Sequence, residues 1–261
     1  MRELEESRRQ LLEALLPLAR QAGQAILAVY ATDFAVRGKP DASPVTEADE
    51  RAEAIILAGL AALAPDIPAV SEECAARGEL PAGAAGAARF WLVDPLDGTK
   101  EFIRKNDEFT VNIALVEAGR PVLGVVLAPA LGRLFAGASG VGAFQEDGAG
   151  RRPLACRGIP PAGLTVVGSR SHRDGAELEA FLGGKTVADR LSVGSSLKFC
   201  LLAAGEADFY PRFGTTMEWD TAAGHGVLLA AGGRMRMLDG AEFLYGKPGW
   251  TNPGFIAEGR T

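Results

Sequence analysis

Leu11, Leu12, Leu15, Leu16, Ala19, Ala22, Ile26 and Val29 recur at helical spacing, with Glu13, Arg20, Gln21 and Gln24 between them. That pattern predicts an amphipathic opening helix whose apolar stripe covers a sheet. A second helix is expected from Thr46 or Glu47 through an Ala- and Leu-rich stretch to Leu63, ending before Pro65, which lacks an amide donor and restricts its predecessor. Residues 75–88, rich in Ala and Gly, read as a flexible loop or flap. Phe90-Trp91-Leu92-Val93 has the pattern of a buried strand that stops at Asp94-Pro95. Further strands are predicted at Phe109–Glu117, Pro121–Ala128, Arg133–Ala138 and Gly142–Gln145, with turns at Gly119, Gly132 and 137–140. Successive strands without intervening helices describe an antiparallel sheet.

After a Gly- and Pro-rich piece, 148–163, the grammar changes. Strand Leu164–Gly168, helix Gly175–Leu182, a strand near Thr186–Leu191, helix Ser196–Ala204, strand Ala207–Pro211 and helix Thr221–Ala231 alternate as in a smaller α/β half. The expected organisation is an N-terminal α+β domain over 1–150 and a C-terminal α/β domain over 151–261, with no internal repeat of fixed period.

Composition narrows the function classes. Of 261 residues, 48% are hydrophobic and 23% charged, the balance of a globular protein with a sizeable core. The net charge of −6, with both signs interspersed, gives no electrostatic footprint for a nucleic-acid polymer, although bound cations could still make one site attractive to a small anion. Cys74, Cys156 and Cys200 are far apart and form neither a disulfide framework nor a zinc signature, which fits reduced thiols in the cytoplasm. The Glu- and Arg-rich start is unlike a signal peptide, and apolar stretches fall well short of the ~20 residues that span a bilayer.

The chemistry concentrates in four acidic segments. Asp94-Pro95-Leu96-Asp97-Gly98-Thr99 sets two carboxylates and the Leu96 carbonyl at a strand end, oxygen donors of the kind Mg²⁺ takes. Alone, the hexapeptide is equally an ordinary acidic turn. Val70-Ser71-Glu72-Glu73 places carboxylates at the end of another short apolar run. Asp49 and Asp220 each fall at a helix start, where an isolated carboxylate is usually a cap.

Taken together, in this order, the four segments resemble the inositol monophosphatase superfamily of lithium-sensitive, magnesium-dependent phosphatases. Asp-Pro-x-Asp-Gly-Thr with the later Trp219-Asp220-Thr221-Ala222-Ala223-Gly224 is the specific pair of motifs, and the likeness extends from Ser43 to Phe255. Lys100-Glu101-Phe102, the run 109–115, Ser195-Ser196-Leu197-Lys198-Phe199-Cys200 and Tyr210-Pro211-Arg212 look like the bacterial 3'(2'),5'-bisphosphate nucleotidases within it. The resemblance implies a layered α-β-α-β-α sugar-phosphatase fold. It also implies hydrolysis of 3'-phosphoadenosine 5'-phosphate to AMP and phosphate, a step that clears a by-product of sulfate assimilation.

Carried over residue by residue, the resemblance puts two or three Mg²⁺ ions on Glu72, Asp94, the Leu96 carbonyl, Asp97 and Asp220. Asp49 and Thr99 become the pair that orients the attacking water. The substrate would be held by Gly98, Thr99, Lys100, Ser169, His172, Ser195, Ser196, Lys198, Arg212 and Asp220, while His225 reads as structural. The implied partner is a small phosphorylated nucleotide, with a homodimer and loose attachment to the inner face of the membrane left open. Competing readings are an inositol monophosphate or fructose 1,6-bisphosphate phosphatase of the same superfamily, and a non-catalytic nucleotide or metal sensor.

Overall fold

A computed structural model describes residues 2–38, 44–169 and 175–260. Helix α1 (Arg2–Tyr30) is followed by the short paired strands β1 (Val36–Gly38) and β2 (Pro44–Thr46), which lead into α2 (Glu47–Leu63). Then come β3 (Ala69–Ser71), α3 (Glu72–Arg77), β4 (Arg89–Asp97) and the single-turn α4 (Thr99–Ile103). A meander is next: β5 (Thr110–Glu117), β6 (Arg120–Ala128), β7 (Arg133–Ala138), β8 (Gly142–Asp147) and β9 (Gly150–Leu154). Strands β3 to β9 form one seven-stranded sheet in sequence order, antiparallel except for β3 beside β4.

The remainder supplies β10 (Leu164–Gly168), α5 (Gly175–Leu182), β11 (Val187–Ser192), α6 (Leu197–Ala203), β12 (Phe209–Arg212), β13 (Thr216–Met217), α7 (Glu218–Ala230), β14 (Arg234–Met237), β15 (Thr251–Asn252) and β16 (Phe255–Glu258). Its five-stranded sheet runs β11-β10-β12-β16-β14, and β13 pairs with β15. Strand β10 lies parallel to β11 and β12, whereas β16 is antiparallel to both β12 and β14.

Strand alternation explains the layering. Trp91 and Val93 of β4, Val111, Ile113 and Leu115 of β5, and Leu134 and Ala136 of β7 join one core with α1 and α2. Their sequence neighbours Phe90, Leu92, Ala114, Val116 and Phe135 face a second core with α6, α7 and the other sheet. A third, smaller core packs Leu178, Phe181 and Leu182 of α5 on Leu164, Val166, Phe209 and Ile256. The order is therefore helices, sheet, helices, sheet, helix, the five layers expected. Helix α7 sits in the middle layer, against the first sheet and next to the second. Gly124 makes this possible, since a Cβ there would lie 2.1 Å from the Ala223 carbonyl oxygen.

Three local expectations are corrected. The stretch 75–88 begins inside α3, which Gly78 ends in the left-handed conformation (φ +74°), so only residues 79–88 are turn and loop. Residues 150–154, given no strand within the Gly- and Pro-rich piece 148–163, form the edge strand β9, where Pro153 is tolerated because an edge strand leaves one side unpaired. The C-terminal half is not purely a strand–helix alternation, because β14 and β16 add antiparallel pairing. No helix among the described residues is long and apolar enough to cross a membrane.

Candidate metal centre and phosphate pocket

Three element ends converge beside the first sheet. Glu72 opens α3 directly after β3, Asp94 and Asp97 end β4, and Asp220 stands in the first turn of α7. One oxygen each from Glu72, Asp94 and Asp220 lie within 4.8 Å of one another. Ligand oxygens about 2.1 Å from a Mg²⁺ ion are at most about 4.2 Å apart, so small adjustments would close this set on a cation. The charges argue the same way. The Asp220 carboxyl is held well above the usual carboxylate range by burial, reinforced by the repulsion of Asp97 and Glu72. Burial also raises Asp97, against the attraction of the Lys198 ammonium. A site whose carboxylates resist ionising beside one another fits divalent cations.

Backbone and neighbouring donors pin Asp94, Asp220, Asp97 and Asp49. The Leu96 amide donates to Asp94 Oδ1 at 3.1 Å, and the Met217 amide to Asp220 Oδ2 at 2.9 Å. Asp97 Oδ2 accepts from Ser196 Oγ at 2.8 Å and Asn112 Nδ2 at 3.3 Å. Asp49 Oδ2 accepts both the amide and the hydroxyl of Thr46, at 2.8 and 2.7 Å. Its Oδ1 takes a hydrogen bond from Thr99 Oγ1 at 3.3 Å. Asp49 and Asp220 are thus both third residues of their helices, tied to the residue that precedes the helix. The capping role read from sequence is real, and the same carboxylates also reach the site.

Gly98 caps α4 at φ +93°, a conformation that favours glycine, and a Cβ there would approach the Glu108 carbonyl at 3.2 Å. Behind α4, Phe102 packs against Tyr30, Phe34 and Phe109, which fixes the turn that carries Thr99. Thr99 Oγ1 lies 3.3 Å from the Leu96 carbonyl as well as from Asp49.

Two cavities meet here. One of about 270 Å³ is lined by Glu72, Asp94, Leu96, Thr99 and neighbours, the other, of about 190 Å³, by Ser169, Ser195, Lys198, Tyr210, Arg212 and others. Asp97, Gly98, Lys100, Glu101 and Asp220 line both. The second is cationic on its far side. Lys198 is buried, and burial pulls its ammonium down to about pKa 8 despite Asp97 nearby. Its Nζ donates to the carbonyls of Val193 and Ser195.

The fold therefore gathers Glu72, Asp94, Leu96, Asp97, Gly98, Thr99, Lys100 and Asp220 around one cavity, with Asp49 behind Thr99, and Ser169, Ser195, Lys198 and Arg212 around its neighbour. His172 lies outside the described residues, as do Arg170 and Ser171. Ser196 is corrected: its side chain is buried and committed to Asp97 and the Asp220 carbonyl, so it faces the interior and not a phosphate. His225 is structural, its ring held neutral by burial, at a pKa of about 3, and 3.1 Å from the Tyr245 hydroxyl. Sequence reasoning gave no role to Thr46, Asn112 or Glu101. The Thr46-x-x-Asp49 spacing was a legible capping pattern, whereas Glu101 and Asn112 stood only inside segments that carried the family resemblance, with nothing local to mark what their side chains do.

The sequence matches the inositol monophosphatase family over residues 7–258. It is 48% identical over 94% of its length to the 3'(2'),5'-bisphosphate nucleotidase CysQ of Salmonella typhimurium, covering 98% of that protein. The Escherichia coli K12 protein of the same name is 46% identical with the same coverage. Among solved structures, CysQ from Bacteroides thetaiotaomicron superposes with a TM-score of 0.80 at 35% identity, over 97% of this chain and 98% of that one. An inositol monophosphatase from Anabaena shares the fold at a TM-score of 0.77 and 24% identity, over 97% and 91% of the two chains.

Proposed function

The chain belongs to the inositol monophosphatase family, and from that premise we propose that it is a Mg²⁺-dependent 3'(2'),5'-bisphosphate nucleotidase. It removes the 3'-phosphate of 3'-phosphoadenosine 5'-phosphate and leaves AMP and inorganic phosphate. The observation that carries this reading is the union of an acidic cavity with a cationic one across the shared wall of Asp97, Gly98, Lys100, Glu101 and Asp220, a shape suited to a ligand with two phosphates.

Glu72, Asp94, the Leu96 carbonyl, Asp97 and Asp220 would hold two or three ions. When bound, these neutralise the phosphate, acidify the attacking water and stabilise the leaving oxygen. The protein's own groups do the rest. Asp49, held by Thr46, accepts a hydrogen bond from the Thr99 hydroxyl and so turns a Thr99 lone pair towards the water, which it orients for in-line attack. The Gly98 and Lys100 region receives the scissile phosphate. Ser169, Ser195, Lys198 and Arg212 hold the distal phosphate, Lys198 and Arg212 as cations in a low-dielectric wall.

Phosphate release from a panel of esters in Mg²⁺ tests the assignment. The adenosine bisphosphate should give the highest kcat/KM. A higher value for inositol monophosphate or fructose 1,6-bisphosphate would move the protein to another branch of the family, and nucleotide binding without Mg²⁺-dependent turnover would make it a sensor.

A further inference from the structure

Adjacent serines at the start of α6 do different work. Ser195 adopts a left-handed backbone (φ +48°), sparsely populated for a residue with a side chain. Its side chain lines the cationic cavity, and the chain turns there so that Ser196 points inward. Ser196 Oγ lies 2.8 Å from Asp97 Oδ2 and 2.6 Å from the backbone carbonyl of Asp220. Asn112, fully buried on β5, donates Nδ2 to Ser196 Oγ at 2.9 Å and to Asp97 Oδ2 at 3.3 Å.

A hydroxyl has one proton. Because Ser196 already accepts from Asn112, that proton is shared between the Asp97 carboxylate and the Asp220 carbonyl. One small side chain thus ties the end of β4 to the first turn of α7, elements distant in sequence that carry mutually repelling carboxylates. Among the described residues Asn112 Oδ1 is buried without a hydrogen-bond partner, whereas the reverse amide orientation would set an oxygen against Asp97.

Resting on the metal-dependent reading above, we propose that Ser196 and Asn112 are positioning residues: a clamp that sets the separation of Asp97 and Asp220 for the cation between them, without touching substrate. Their effect is on metal affinity. At saturating metal the chemistry and nucleotide binding should be untouched.

The test is Mn²⁺ binding to the substrate-free protein, by calorimetry and electron paramagnetic resonance, for wild type, Ser196→Ala, Ser196→Thr and Asn112→Ser. Ser196→Ala should weaken Mn²⁺ binding about tenfold, the size of one hydrogen bond to a charged group. AMP affinity at saturating Mn²⁺ and kcat at saturating Mg²⁺ should stay within about twofold of wild type, and Ser196→Thr should recover most of the metal affinity. Asn112→Ser should shift Mn²⁺ affinity in the same direction by less, since its bond to Asp97 is the longer. It serves as the deciding variant if Ser196→Ala does not fold. Unchanged Mn²⁺ binding in the variants, or lost AMP binding with metal affinity intact, overturns the clamp. Wild-type protein that binds Mn²⁺ but hydrolyses no phosphate ester would instead sink the proposed activity, and the clamp would stand or fall on the binding data alone.

Discussion

Replacing Asp220 by asparagine should stabilise the metal-free protein while abolishing its stabilisation by Mg²⁺. Asp220 has an oxygen within 4.8 Å of oxygens from Glu72 and Asp94. Unit charges that far apart repel by about 3.5 kcal/mol at an effective dielectric near 20. Part of this is already relieved by protonation, since the Asp220 carboxyl is held well above its ordinary range by burial and by its acidic neighbours. The hydrogen bond from the Met217 amide survives, because the asparagine Oδ1 can accept it. A net gain of about 2 kcal/mol at neutral pH is reasonable. In a chain of this size it corresponds to about 4–8 °C in Tm. The sign in pH comes from the raised carboxyl: the folded state binds this proton more tightly than the unfolded state. Stability of the metal-free wild type should therefore rise as pH falls through the folded-state pKa, and the variant should lack that rise. Scanning calorimetry in EDTA and in excess Mg²⁺ reads both effects. If Asp220→Asn is no more stable than wild type in EDTA, and Mg²⁺ still raises its Tm by the wild-type amount, these carboxylates do not crowd a common cation site.

Thr99→Ala should bind Mn²⁺ and AMP as wild type does but lose about a hundredfold or more in kcat, because it removes only the hydroxyl that orients the water; steady-state kinetics beside calorimetry would show the split. Lys198, with its pKa drawn down to about 8, should give kcat/KM for the bisphosphate a falling limb above that pH, as the ammonium loses its proton and its hold on the distal phosphate. In Lys198→Met the limb should disappear and KM should be high throughout, whereas a limb that persists would belong to another group. Gly124→Ala would drive a Cβ into the Ala223 carbonyl, 2.1 Å away, and push α7 off the sheet. We expect a loss of about 1–3 kcal/mol in urea unfolding, with weaker Mg²⁺ binding through displaced Asp220.

Much of this was written in local pattern. The second helix could be placed from Thr46 or Glu47 to Leu63 because its period and Pro65 act within a turn or two of the chain. Strands β5 to β8 were legible because alternation and glycine turns are equally local. The four acidic segments were visible for the same reason, each as a carboxylate at the end of an element. Strand β9 was missed because a mostly exposed edge strand with Gly, two arginines and Pro carries no apolar signature, and its identity comes from pairing with β8. Strands β14 and β16 are likewise defined by their partners. Helix α7 is buried nearly all round, so no polar face marks which layer it occupies.

What the residues determined unaided was which groups could act: oxygen ligands at strand and helix ends, a threonine beside them, and cations further along. Only the folded arrangement decided which of those groups face each other. Asp220 joins Glu72 and Asp94 because glycine lets α7 lie against the first sheet. Ser195 and Ser196 take opposite sides because one backbone angle turns between them. Such pairings depend on contacts between residues a hundred positions apart, and no stretch of sequence short enough to read by pattern contains them.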